Sequence, residues 1–288
     1  MNYCNISIVA PQKILKGAGL LNTSFLPSFT YEIKIIFKNQ SDDLAICSFS
    51  STLGNGIRFM NNIKHSGPDP YILEKINVVE PNESIKNNNV ILFANNFILS
   101  PNSTNIITFD SSLCDKYTVN SLENTGQKIP HESTIHFYGH LIYGELGENV
   151  VSTSSESKAC DYEISVSCED SEVLPGEETK FYIQCRAGQY DTIKSAYLRC
   201  ILDEGLEFIP DSSNIEPKKN YKFDKKTILK WDLGSFQPTE EKRIGYKVIV
   251  SSDLMPGSIL INKFNTNCLN NSTYDQCPES CDFEMKVI

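Results

Sequence analysis

Ten cysteines, at positions 4, 47, 114, 160, 168, 185, 200, 268, 277 and 281, are the residues best equipped for chemistry in this chain. A thiol can form a disulfide, ligate a metal or pack as a small apolar group. An even, high count is usual in oxidising compartments. Cys277 and Cys281 enclose Pro278-Glu279-Ser280, a spacing found in zinc sites, but no second pair of matching form completes a four-ligand set. Cys268 lies nearby in sequence, so three thiols cluster close to the C-terminus. Three readings stay open: cross-links within or between subunits, buried free thiols, and a metal site. The candidates for bonds between subunits are Cys4, near an end expected to be mobile, and Cys268, Cys277 and Cys281. Cys168, Cys185 and Cys200 fall on expected strands and are expected to be internal.

His131, His136 and His140 fall within ten residues. Residues four apart on a strand share a face, so His136 and His140 would point the same way. Glu132 and Cys114 do not clearly complete a metal set, and surface or structural histidines are the reading. Asp203-Glu204 and Glu240-Glu241 are adjacent pairs that a strand would turn to opposite faces, which removes paired-carboxylate catalysis. No nucleophile elbow, phosphate loop, dinucleotide fingerprint or His-Glu-x-x-His is present, and Gly54-Asn55-Gly56 reads as a turn. No catalytic residue, metal or cofactor is expected, and the chain is not expected to be an enzyme.

The elements that would position these residues are short strands. Thr30–Phe37, Ile106–Phe109, Tyr162–Val166, Lys180–Gln184, Ala196–Leu202 and Gly245–Val250 alternate apolar and polar residues. Clusters of Pro, Gly, Asn and Ser separate them, and no sustained helical period occurs. Many short strands between turn signals predict an all-β sandwich. The length of 288 residues predicts two domains at ~100–150 residues each. The polar stretch 151–158 is the expected linker, between an N-terminal sandwich with longer loops over 1–150 and a C-terminal one over 159–288. Trp231 is the expected apolar plug between the sheets of the second domain.

The balance of 26 basic against 36 acidic residues gives a net charge of −10. An acidic chain without a basic face lacks the phosphate neutralisation that drives nucleic-acid binding. The densest basic stretch, Lys218, Lys219, Lys222, Lys225 and Lys226, reads as a solvated loop. No apolar run approaches the ~18 residues of a membrane span. The segment Met1–Asn5 carries no charge and no apolar run follows it, so no signal peptide is expected there. The thiols then imply either a removed signal or synthesis in a cell that later lyses.

The two halves repeat each other. Phe25-Leu26-Pro27 precedes one alternating strand and Val173-Leu174-Pro175-Gly176 another. Leu53–Phe59 follows the first at the spacing at which Leu202–Phe208 follows the second, within one residue. Ile91-Leu92 leads to Pro101 as Ile228-Leu229 leads to Pro238. Four matches in one order imply duplication, with extra residues in two loops of the first copy.

Several of these segments resemble a known family. They are Leu174-Pro175-Gly176-Glu177-Glu178-Thr179, Leu202–Phe208, Leu229-Lys230-Trp231-Asp232-Leu233-Gly234-Ser235-Phe236-Gln237-Pro238 and Pro256–Asn262. Together they resemble the bacterial immunoglobulin-like repeat known as domain of unknown function 11, over nearly all of 160–288. The first half resembles a longer form, through Asp115–Asn120 and Glu123–His131, although His136–His140 stands where the closing Asn-x-Ala strand would be. The resemblance implies two tandem immunoglobulin-like β-sandwiches on a bacterial cell or spore surface, similar to clostridial endospore-appendage proteins. It implies a structural subunit that self-associates into a homo-oligomer or polymer, with other spore-surface proteins as further candidate partners. Disulfides would reinforce the assembly, and an N-terminal segment such as Asn5–Ala10 would add to a neighbour's sheet edge. An adhesive or ligand-binding surface module is the alternative. A Lys–Asn isopeptide bond is not expected. Asn262 matches the family's closing Asn but Tyr162–Cys168 holds no Lys, while Lys13 and Lys16 lack the closing Asn in their own half.

Overall fold

The computed structural model describes residues 3–17, 29–81, 89–118, 126–144 and 147–288. The chain divides into two units, Met1–Cys160 and Asp161–Ile288, each with its own core. Both are all-β sandwiches. Among the described residues the helix is limited to one turn, α1 (Ile72–Lys75).

In the first unit one sheet has the order β1 (Cys4–Val9), β3 (Tyr31–Asn39), β9 (Ser103–Leu113), β5 (Ile57–Phe59), and β6 (Lys64–Ser66) also pairs with β9. The other sheet has the order β2 (Lys13–Leu15), β11 (Asn149–Cys160), β10 (Thr134–Tyr143), β4 (Ala45–Thr52), β8 (Ile91–Leu99), β7 (Asn77–Val79). In the second unit the first sheet is β12 (Tyr162–Cys168), β14 (Glu178–Ala187), β19 (Glu241–Val250), β16 (Leu206–Phe208). Its companion is β13 (Glu172–Val173), β21 (Glu279–Val287), β20 (Ile259–Asn270), β15 (Ile193–Leu202), β18 (Lys226–Phe236), β17 (Lys219–Phe223).

Strand for strand the two orders coincide, down to the parallel contacts of β2 with β11 and β13 with β21. The repeated motifs occupy equivalent places. Leu53–Phe59 carries the end of β4 through a turn into β5, as Leu202–Phe208 carries β15 into β16. Pro101 and Pro238 open the turns into β9 and β19. Phe25-Leu26-Pro27 lies outside the described residues, as does the whole stretch from Val119 to Thr125. The paired glycines differ. Gly56 takes φ +89°, a left-handed turn position, whereas Gly205 does not adopt positive φ. Gly205 is required for space instead: a Cβ there would meet Leu254 Cδ1 at 2.6 Å.

Period-two alternation builds the cores. Ile33, Ile35 and Phe37 of β3 and Phe137, Leu141 and Tyr143 of β10 point inward, with polar residues facing out. In the second unit Trp231 on β18 is buried, lies 5.6 Å from the ring of Tyr246 on the opposite sheet, and donates its indole N–H to the Ile215 carbonyl at 2.6 Å. Trp231 is therefore the plug between sheets.

The expected linker 151–158 is instead the body of β11, ladder-paired with β10 from Asn149 to Lys158. Its inner positions are Val151, Thr153, Ser155 and Ser157, small or β-branched residues that fit a pleated surface without an apolar signature. The unit boundary falls between Cys160 and Asp161, where β11 hands over to β12.

Candidate functional site: thiol pairs, open edges and a groove

Cys4 is not on a mobile arm. It opens β1, which pairs with β3 from Cys4 to Val9, and its side chain points into the core with Ile6 and Ile8. The same pairing occupies Asn5–Val9, so that segment is a strand of its own unit and not a donor to a neighbour. Cys4 and Cys47 are 0% and 1% exposed and belong to opposite sheets; the Cys4 thiol donates to Asn39 Oδ1 at 3.8 Å and the Cys47 thiol to the Ala45 carbonyl at 3.7 Å. The neighbouring Cys47 thiol favours loss of the Cys4 proton, while the neighbouring Cys4 thiol and burial push the Cys47 thiol far up. The ring of Tyr143, cross-strand neighbour of Cys47, packs edge-on against Tyr3 at 4.8 Å.

Cys268 and Cys277 are also buried. The Cys277 amide donates to the Cys268 carbonyl at 2.9 Å. The neighbouring thiol and burial push Cys268 far up. Expected contacts of Cys4, Cys268 and Cys277 with another subunit thus meet side chains that folding turns inward. Cys281 keeps partial exposure on β21. Cys185 and Cys200 sit in the second core, where burial pushes them up to about 11 and about 12 respectively. The Cys200 thiol lies 3.2 Å from the Tyr246 hydroxyl. Cys168 is half-buried on β12, 3.3 Å from Thr179 Oγ1.

His136 and His140 do share the outer face of β10, but each has its own partner. His136 Nδ1 lies 3.1 Å from Glu156, and His140 Nδ1 2.8 Å from Ser152 Oγ. His131 lies in the turn before β10. The lysine-rich segment is not a loop. Lys219 and Lys222 lie on β17, and Asp224-Lys225 form a two-residue hairpin turn with φ of +48° and +63°. Lys218 pairs with Asp232, Lys222 with Glu207, and Lys225 with Glu204, so neighbouring acids offset the cluster. Lys16 is buried and donates Nζ to the Ile129 carbonyl, while Asn262 Oδ1 accepts from the Asp203 amide at 3.1 Å.

Sheet ends are the second feature. Terminal strands β2, β5, β7, β13 and β16 have three residues or fewer, and β17 carries two lysines. Beyond β16 the chain stays on β19, through Ile209 N to Lys247 O at 3.1 Å and Asn214 N to Gly245 O at 3.1 Å. β1 and β12 differ. They hold six and seven residues, end their sheets among the described residues, and contain no lysine and no proline. Ile6-Ser7-Ile8 and Ile164-Ser165-Val166 are the same element in the two copies. Charge, proline and brevity are the usual protections of an edge; β1 lacks all three, and β12 carries a single charge, Glu163, which pairs with Arg186 on β14. Sequence reasoning missed this matched pair because an edge is defined by what lies beside a strand.

A groove of about 680 Å³ crosses the outer face of the β12–β14–β19 sheet. Ser165, Ser167, Lys180, Tyr182, Asn214 and Arg243 line it. Tyr182 stands opposite Gly245, which offers no side chain, so its ring lies across the strand with 43% exposed. Lys180 Nζ sits 5.1 Å from the Tyr182 centroid.

Fold and surface thus define a class: tandem immunoglobulin-like β-sandwiches with two open edges. No protein-family profile matches the chain, and no curated protein does. Similar solved structures include the C-terminal domain of the AgI/II polypeptide BspA of Streptococcus agalactiae, at 8% identity and TM-score 0.35 over 98% of this chain and 100% of that one. A red sea bream transglutaminase is similar at 8% identity and TM-score 0.39, over 100% of this chain and 32% of its own. A cohesin–dockerin complex from Clostridium thermocellum matches at 12% identity and TM-score 0.30, over 44% and 99%. The fold assignment rests on the strands themselves. Among the described residues no helix is long and apolar enough to cross a membrane.

Proposed function

We propose that this chain is a self-associating structural subunit of a bacterial surface assembly, such as a fibre, an outer layer or a spore appendage. The observation that carries this reading is the matched pair of long edge strands without lysine or proline, β1 and β12. An edge strand presents a row of backbone donors and acceptors that a strand of another copy can satisfy with little sequence specificity. Two such edges on one subunit permit an open chain of subunits, which a single edge would not. The bacterial surface setting follows from the resemblance to the domain-of-unknown-function 11 repeat and from the thiol-rich composition. Cys281 is the cysteine of the C-terminal cluster that keeps access to a neighbouring copy.

The test is assembly as a function of concentration, followed by sedimentation and electron microscopy. Ser165 and Ser167 are exposed on β12, so Ser165→Lys with Ser167→Lys places two charges on that edge without touching the core. The expected result is a folded protein that no longer elongates. A parent chain that stays monomeric at high concentration sinks the proposal. A second reading, an adhesive module, rests on the groove around Tyr182, Lys180 and Arg243. A glycan or host-protein array separates the two.

A further inference from the structure

We infer that the chain carries two intradomain disulfide sites: Cys4 with Cys47, tying the two sheets of the first sandwich, and Cys268 with Cys277, closing the β20–β21 hairpin. Neither depends on the proposed assembly, since each lies within one unit.

The first site is defined by topology. Cys4 belongs to the β1–β3–β9–β5 sheet and Cys47 to the sheet of β4. Both side chains point inward into one core, and the 4.8 Å ring contact of Tyr3 with Tyr143, neighbours of Cys4 and Cys47 respectively, brings the two positions together across the sandwich.

The second site is defined by register. The β20–β21 ladder sets Thr266 opposite Glu279, and Leu269 bridges Gln276. The same register puts Cys268 directly opposite Cys277, and the 2.9 Å amide–carbonyl bond between them agrees. Directly opposed residues have Cα atoms ~4.5–5.5 Å apart and share a face. That distance lies inside the range of about 4.4–6.8 Å that a disulfide tolerates. The Cys268 thiol also turns toward Cys277, 3.5 Å from its carbonyl oxygen.

Three other cysteines face hydroxyl groups. Cys200 and Cys168 face the hydroxyls of Tyr246 and Thr179, and Cys185 hydrogen-bonds Tyr162.

Each bond forms by exchange with a small-molecule disulfide such as oxidised glutathione. One cysteine gives up its proton, and its thiolate attacks that disulfide. The small-molecule S–S bond breaks, a mixed disulfide forms, and one thiolate leaves and takes up the proton. The second cysteine, deprotonated in turn, attacks the protein-side sulfur and expels the other thiolate, which is protonated. Two cysteine thiols are oxidised and one disulfide is reduced to two thiols. Because folding seals all four sulfurs, the exchange belongs to the folding stage, and the finished bonds are shielded from reductant.

The test is refolding of the full chain in a glutathione redox buffer, then alkylation and peptide mapping without reduction. The expected map links the peptide of Cys4 to that of Cys47 and the peptide of Cys268 to that of Cys277. The intact chain then lacks four hydrogens. Alkylation of these four cysteines, or their linkage to other positions or other chains, overturns the inference. As a second readout, the oxidised parent is expected to lose several degrees of Tm when reductant is added during unfolding. The double variant Cys47→Ala, Cys277→Ala is expected to melt alike with and without reductant. A parent whose melting ignores reductant also overturns the inference. A chain with both bonds that stays monomeric leaves this inference intact and removes the assembly proposal. Fibres that form with the four thiols unlinked do the reverse.

Discussion

At the scale of the residue, the second core is set by polar atoms that burial forces into pairs. Cys200 is fully enclosed, its thiol beside the Tyr246 hydroxyl, and burial pushes it up to about 12. In the unfolded chain the same thiol ionises near 8.5, an approximate value for a solvated cysteine. Between these two values the folded state holds a proton that the unfolded state has lost. Stability is therefore fully present below about pH 8.5 and falls as pH rises toward about 12. The slope contributed by one such thiol is about 1.4 kcal/mol per pH unit at most. Cys200→Ala is expected to flatten the alkaline part of the stability profile, measured by urea unfolding of the second unit from about pH 7.5 to about 10.5, roughly one unit below the thiol's onset to two above it. Parallel profiles for parent and variant would sink this account. The chemistry of single residues was only partly legible in the sequence. Trp231 could be assigned because a lone large aromatic in a sandwich segment has few other places to go. The cysteines could not. Whether Cys4 meets Cys47 or a neighbouring chain depends on which strand faces which, and spacing in sequence carries no such information.

At the scale of the element, duplication lets one half of the chain serve as a control for the other. The turns into β9 and β19 begin with Pro101-Asn102 and Pro238-Thr239, and the second residue takes φ of +48° in one and +68° in the other. Asn tolerates the left-handed region, whereas a β-branched residue there crowds its own backbone. The amide of Thr239 still donates to Gly188 O at 3.0 Å, so the turn itself is well formed. Thr239→Asn copies the first half into the second and is expected to raise stability by roughly 0.5–1 kcal/mol, read as a higher denaturant midpoint with unchanged slope. A lowered midpoint would mean that the Thr239 side chain contributes packing that the turn argument ignores. Alternation revealed the strands of the central ladders in advance, because Ile33, Ile35 and Phe37 or Phe181 and Ile183 advertise a buried face. It failed on β11 and β17. The first fully buries only Ser157 over its Ser- and Thr-rich stretch, with Val151 half-buried, and the second is exposed at all five positions. Such strands exist because neighbours supply the ladder, and a polar strand then looks like a linker or a loop.

At the scale of the whole molecule, that misreading has a consequence for where the chain can be divided. A cut after residue 150 follows the apparent linker, yet it removes nearly all of β11. That strand sits between β10 and β2, pairing with β10 at ten positions and with β2 through Lys158, Ala159 and Cys160. Ala159 and Cys160 are buried, and the Ala159 carbonyl accepts from the Glu132 amide at 2.7 Å. Without β11, β10 would expose a long row of unpaired backbone groups and β2 would have no sheet partner in its unit. A fragment of residues 1–150 is therefore expected to be insoluble or molten, whereas 1–160 is expected to fold with the amide dispersion of a native sandwich. The complementary fragments behave in the opposite sense. Residues 161–288 contain every strand of the second unit's two sheets, so 151–288 adds only an unpaired tail and is expected to melt at the same temperature as 161–288. Proton–nitrogen correlation spectra and thermal melts of the four fragments decide the matter. If 1–150 folds as well as 1–160, β11 is dispensable and the boundary lies where composition first placed it. If only 1–160 folds, the polar strand belongs to the first sandwich, and one residue, Cys160, ends that unit where Asp161 begins the next.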